Sequence, residues 1–178
     1  PHPFSLGALA GKQVCRRVLL AELNLAEASR GPVFGMVTRL VEEKGFDVLM
    51  PLLDRLLSDD VRLIILGEGD PAFETALAIT ARKYPAKFTY RKNYDERLAH
   101  LIEAGSDITL IPSRIEPSGV SAMYSLKYGA LPIARATGGI HEIIEDQDPV
   151  SKSGHRFRAC ANPTETPWDA IHRPPETF

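Results

Sequence analysis

Short apolar runs alternate along the chain with longer stretches of helical spacing. Val33 to Val37, Val61 to Leu66, Ile108 to Ile111 and Leu131 to Ala134 are nearly continuous apolar runs, and Lys87 to Arg91 is a shorter candidate. Runs without polar alternation suit strands buried on both faces. Between them the apolar period changes to that of a helix. Val14, Val18, Leu19 and Leu23 predict a helix over 8–23. Phe46, Leu49, Leu52, Leu53, Leu56 and Leu57 predict another over 45–57, with a kink at Pro51. Asp70 is an N-cap candidate and Pro71 suits the first helical position, opening a helix to about Tyr84. Further helices are expected over 95–105, 119–128 and 139–145.

Five strands alternating with helices predict a doubly wound parallel α/β sheet, Rossmann-like in type. Residues 1–148 form that domain. Residues 149–178 carry Pro149, Pro163, Pro167, Pro174 and Pro175 and read as an irregular tail of the same domain, with one short strand near Phe157. Ligands of such sheets bind beyond the carboxyl ends of the strands. The loops of interest are therefore 38–45, 67–70, 91–95, 112–119 and 135–139.

Composition narrows the partners. The 178 residues fit one domain, and 44% hydrophobic content supports a core. A net charge of −2 provides no general basic field for nucleic acid or an acidic membrane, so an anionic ligand must be held by a local group of cations. Cys15 and Cys160 make no disulfide framework and fit a reducing compartment. No apolar run reaches the roughly 18–20 residues of a membrane span. The start, Pro1-His2-Pro3-Phe4, has neither signal-peptide pattern nor initiator Met, and the chain is expected to be a piece of a longer protein.

Several nucleotide and metal motifs are absent. The loop after the first strand reads Thr38-Arg39-Leu40-Val41-Glu42-Glu43-Lys44-Gly45, not the G-x-G-x-x-G of a dinucleotide fold. Gly7-Ala8-Leu9-Ala10-Gly11-Lys12-Gln13 lacks the spacing, the hydroxyl and the preceding strand of a P-loop. His141-Glu142-Ile143-Ile144-Glu145 lacks the second His of a zinc helix, and no metal site is expected.

Each candidate loop carries two readings. Lys44 at a helix start is unfavourable against the dipole unless an anion lies between, while Arg39 and Lys44 as solvated charges is the plain alternative. Gly67 and Gly69 either admit a ligand or form a tight turn. Tyr94 either stacks on a base or packs. Pro112-Ser113-Arg114-Ile115-Glu116-Pro117-Ser118-Gly119-Val120-Ser121 is the strongest segment. Its amides at 118–120 open a helix and suit an anion, with the Glu116 carboxylate beside them; the alternative makes Glu116 or Ser118 a cap. Thr137-Gly138-Gly139 either approaches a ligand by its backbone or only turns.

Taken together, from about Leu9 to Glu145, these segments resemble the bacterial glycogen synthase and plant starch synthase family. Residues 38–47 match its S-R-L-x-x-Q-K-G-x-D. Residues 112–120 match P-S-R-F-E-P-C-G-L, followed by Tyr124 and by Lys127-Tyr128-Gly129-Ala130-Leu131-Pro132 for K-Y-G-T-L-P. Residues 135–139 resemble R-R-T-G-G, and Leu66-Gly67-Glu68-Gly69-Asp70 and Leu98-Ala99-His100 also fit. The resemblance implies the C-terminal, donor-binding half of a two-domain GT-B glucosyltransferase. Its substrates would be ADP-glucose or UDP-glucose and the non-reducing end of an α-1,4-glucan, its missing partner an N-terminal domain. It would need no cofactor or metal and would work in the bacterial cytoplasm or the plastid stroma. By the same resemblance, Arg39 and Lys44 contact the donor diphosphate and Tyr94 stacks near adenine. Glu116 holds the glucosyl unit at the reacting carbon, Ser118, Gly119 and Val120 cradle the distal phosphate, Ser121 stands near the ribose, and Thr137 and Gly138 border the donor.

The chain departs from the family at Ser118 for Cys, Glu43 for Gln, Leu101 for Arg and Ala136 for Arg, and nothing matches the family's N-terminal K-x-G-G loop. Other retaining GT-B transferases place Arg, Lys and Glu in the same loops. Many carry a second Glu eight residues after the first, where this chain has Tyr124. A non-catalytic nucleotide-binding domain is the reading outside enzymes.

Overall fold

In the computed structural model the strands alternate their side chains between two faces, and each face has its own core. The structure describes residues 3–5, 10–27, 31–135 and 137–140, and the backbone of 157–159. The strands are β1 (Val33–Val37), β2 (Arg62–Leu66), β3 (Phe88–Arg91), β4 (Ile108–Ile111), β5 (Leu131–Arg135) and β6 (Phe157–Ala159). Phe34, Met36, Leu63, Ile65 and Phe88 pack on one face against Phe46, Leu49, Leu53, Leu57 and Leu77. Those partners belong to the helices α2 (Phe46–Leu49), α3 (Leu53–Ser58) and α4 (Pro71–Lys83). Val33, Ile64 and Leu66 face the other way, onto α1 (Ala10–Glu22) and α5 (Glu96–Gly105). Burial on both faces explains why these strands read as unbroken apolar runs.

All pairings are parallel, in the order β3-β2-β1-β4-β5-β6. This is the doubly wound order expected from the sequence, with β6 at an edge within the stretch expected to be mostly irregular. The order reverses between β1 and β4, where Phe34 pairs with Ile108 and Gly35 with Thr109. Clefts of such sheets open at that reversal.

The helix expected over 45–57 is interrupted. A 3-10 turn, Glu42–Lys44, precedes α2, and a second one, Met50–Leu52, separates α2 from α3. Pro51 has no N–H for a helical bond, so the chain tightens there as the kink requires. The other caps follow the sequence. Asp70 Oδ1 accepts the Ala72 N–H at 2.8 Å and Asp95 Oδ1 the Leu98 N–H at 2.9 Å. Of the helix expected over 139–145, residues 141–145 lie outside the described residues, as do 7–9 of the P-loop-like stretch and most of 149–178.

The first turn of α1 sends Lys12 to the far ends of two other helices. Lys12 Nζ donates to the carbonyls of Ser106 at 2.7 Å, Tyr128 at 2.9 Å and Ala104 at 3.2 Å. It thereby caps the C-terminal ends of α5 and of α6 (Val120–Lys127), where a cation suits the dipole. Burial pushes the Lys12 ammonium below its usual pKa, with the Asp107 charge pulling the other way.

Candidate functional site

Two strand-end segments meet at the reversal point. The first follows β1, where Gly45 turns the chain at φ 79° between the 3-10 turn and α2. A Cβ there would lie 2.1 Å from the Pro112 carbonyl oxygen, so only glycine allows the two segments this approach. The second follows β4. The N–H groups of Arg114 and Ile115 donate to the Glu43 carbonyl at 2.8 and 3.3 Å, stitching it to the first.

This approach brings Lys44 to Glu116. Lys44 Nζ lies 2.7 Å from Glu116 Oε2, and the same oxygen accepts from Ser113 Oγ at 3.2 Å. The side chains of Lys44 and Glu116 are only 18% and 8% exposed, so the pair is weakly screened. Glu116 is not a helix cap, because α6 has no side-chain cap and the carboxylate is used elsewhere. Lys44 also differs from its expected place. It closes the 3-10 turn rather than opening a helix, and within the chain its charge is answered by the Glu116 carboxylate.

Beyond Glu116 the chain passes Pro117 into α6, whose N-cap Gly119 is left-handed at φ 61°. Among the described residues no acceptor takes the N–H groups of Ser118, Gly119, Val120 or Ser121. They form a donor cluster at the start of an eight-residue helix, two residues on from Glu116 in the chain. The β5 loop backs this segment. Gly138, at φ 52°, would place a Cβ 2.4 Å from the Glu116 carbonyl oxygen, and the Gly139 N–H donates to that oxygen at 3.1 Å. Thr137 Oγ1 donates to the Arg114 carbonyl at 3.0 Å. Thr137 and Gly138 therefore hold the Glu116 loop in place, whatever else they border.

The remaining candidates separate. Arg39 is exposed on the β1 loop and has no ion-pair partner among the described residues. Tyr94, 66% exposed, is not a packing residue. The backbone of Gly67 is committed to β3, its N–H to the Arg91 carbonyl and its carbonyl to Tyr90 Oη, which fits the turn reading. Leu101, where the family has Arg, is buried in the core between α1 and α5. Sequence reasoning passed over Ser113 and the ion pair of Arg114 with Asp47, whose contacts include Arg114 Nε at 3.1 Å from Asp47 Oδ2. The signal available was a polar residue two positions after a buried strand and three before a carboxylate.

A family model described as Glycosyl transferases group 1 matches residues 24–157, more than half of the chain. The chain belongs to that family. Within it, the chain is 46% identical over 158 residues to a glycogen synthase of Anaeromyxobacter dehalogenans, a match covering 88% of this chain and 33% of that protein. The catalytic domain of starch synthase IV from Arabidopsis thaliana, solved bound to ADP and acarbose, superposes with a TM-score of 0.83 at 30% identity. That match covers 96% of this chain and 36% of the solved one. The C-terminal domain of a group 1 glycosyl transferase, LpcC of Francisella tularensis, shares the fold at a TM-score of 0.61 and 19% identity. It covers 75% of this chain and 71% of that one. The group 1 transferase chain thus spans about a third of the length of the glycogen synthase it matches, and its sheet is that of the C-terminal part of GT-B glycosyltransferases. Among the described residues no helix is long and apolar enough to cross a membrane.

Proposed function

We propose that this chain is the donor-binding domain of a retaining glucosyltransferase, which moves glucose from ADP-glucose, or UDP-glucose, to the non-reducing end of an α-1,4-glucan. The observation that carries the reading is the buried Lys44–Glu116 pair, followed two residues later in the chain by the amides of residues 118–121, which have no acceptor among the described residues. The amides and Arg39 supply positive potential for a diphosphate, and Glu116 supplies the one buried negative charge among the described residues.

In the reaction the bond from the glucosyl carbon to the diphosphate breaks, a bond to the acceptor hydroxyl oxygen forms, and that hydroxyl's proton passes to the departing diphosphate. Negative charge grows on the leaving diphosphate and positive charge on the sugar. Preorganised donors and Lys44 stabilise the first, and Glu116 stabilises the second. The diphosphate draws Lys44 toward itself, which frees the Glu116 carboxylate to face the sugar. Tyr94, exposed on the β3 loop, offers its ring to the base. The acceptor is held by the part of the protein that lies outside this chain.

The test is transfer of labelled glucose to a glucan primer by the complete polypeptide that carries this chain, with ADP-glucose and UDP-glucose in parallel. Incorporation from one of them, sensitive to substitution of Glu116, is the expected result. No incorporation from either, with ADP binding retained, would leave only a nucleotide-binding domain.

A further inference from the structure

The segments after β1 and β4 face one another with alternating charges in matching order. Lys44 meets Glu116, and three residues after Lys44 Asp47 meets Arg114, two residues before Glu116. The Arg114 guanidinium forks onto the carboxylate, Nε lying 3.2 and 3.1 Å from its two oxygens and Nη2 closing a further contact. Between the two ion pairs the Arg114 and Ile115 N–H groups share the Glu43 carbonyl. The Arg114 carbonyl accepts from Thr137. Both peptide groups and the side chain of Arg114 are therefore committed to neighbouring loops, so its charge does not compete with Lys44 for Glu116.

We propose that Asp47–Arg114 is the positioning pair that fixes how far Lys44 stands from Glu116 during turnover. This rests on the reading of Glu116 as the group at the reacting carbon. The Lys44–Glu116 contact cannot hold the frame itself, because an arriving diphosphate draws Lys44 away. The Asp47–Arg114 fork does not touch the donor amides and stays closed, and its planar two-point geometry fixes orientation as well as distance. With the Arg114 and Asp47 side chains 44% and 30% exposed, the pair adds little to stability. Its effect falls instead on alignment, to which rate is far more sensitive than stability is.

The experiment uses the complete polypeptide, with Arg114→Ala, Asp47→Asn and the charge-swapped double variant Asp47→Arg/Arg114→Asp. Glu116→Gln serves as the reference. Measured are kcat, KM for the nucleotide sugar, ADP affinity by calorimetry and the thermal midpoint. The expected result is a kcat lower by about 10- to 100-fold in Arg114→Ala, with ADP affinity within about twofold of the parent and recovery of most of the rate in the swapped pair. Parental kcat in Arg114→Ala, with Glu116→Gln inactive, overturns the positioning role alone. Parental kcat in Glu116→Gln overturns the site reading beneath it. Should Arg114→Ala melt early, Asp47→Asn decides, since it keeps size and an acceptor oxygen. Parental kcat there, or no recovery in the swapped pair, also overturns the proposal.

Discussion

Lys44 Nζ sits 2.7 Å from Glu116 Oε2, although the two residues are 72 positions apart in the chain. A cation and an anion that would each serve the substrate are thus stored against each other. Neither needs to be desolvated afresh when the donor arrives, and each can be exchanged for a charge of the ligand.

Glu116→Gln keeps the size and one acceptor oxygen but loses the charge. Loss of one preorganised electrostatic contact is expected to lower kcat on the order of 100-fold or more, with ADP affinity nearly intact. Steady-state kinetics of the complete polypeptide beside ADP calorimetry separates the two. A kcat near the parent's contradicts the role given to Glu116.

Lys44→Ala leaves the Glu116 carboxylate buried with Ser113 as its remaining partner. Removing the cation from a buried ion pair costs on the order of 3–5 kcal/mol, so the thermal midpoint falls. Adding Glu116→Gln removes the stranded charge, and the midpoint recovers while ADP binding stays weak. If ADP affinity is parental in the double variant, Lys44 serves the fold and not the diphosphate.

Gly45→Ala tests the approach of the two segments. The left-handed backbone costs about 1–2 kcal/mol for a residue with a Cβ, before the contact with Pro112 is counted. A lowered midpoint and lost activity are expected together. An unchanged melt would mean that the segments can move apart freely.

Glu103 gives a pH dependence. Burial holds its carboxyl above its usual pKa, opposed by the charge of His100. The nearest His100 nitrogen is 3.8 Å from Glu103 Oε2. In strong acid the folded and unfolded chains both hold the proton, and the group costs nothing. As pH rises through the folded value, the folded chain must ionise a half-buried carboxyl that the unfolded chain ionises more easily, and stability is lost. Glu103→Gln is therefore expected to melt higher than the parent at pH 7, the gap closing as pH falls below about 4. A gap that does not vary with pH contradicts this.

The strands and the parallel, doubly wound type of the sheet were legible because unbroken apolar runs between helical periods have few other solutions. Asp70-Pro71 and Asp95 marked helix starts through local chemistry alone. Lys44 was misplaced because the 3-10 turn depends on Gly45 meeting Pro112, a contact between segments that no local pattern carries. The two readings of Glu116 stayed open for the same reason. Whether a carboxylate caps its own helix or reaches another loop is decided by tertiary contact. The pairing of Arg114 with Asp47 was hidden too, since two charges 67 positions apart carry no periodicity that links them.

The seam between β1 and β4 has a consequence for assembly. β1 must leave its place beside β4 open while β2 and β3 are made, and β4 then pairs across some seventy intervening residues. Such a closure carries a large loop entropy and belongs among the slower events of folding. Lys44 and Glu116 come from opposite sides of that seam. A chain emerging from the ribosome therefore has no site until β4 is out and docked, and a nucleotide added during refolding should bind in the last kinetic phase, reporting the closing of the sheet.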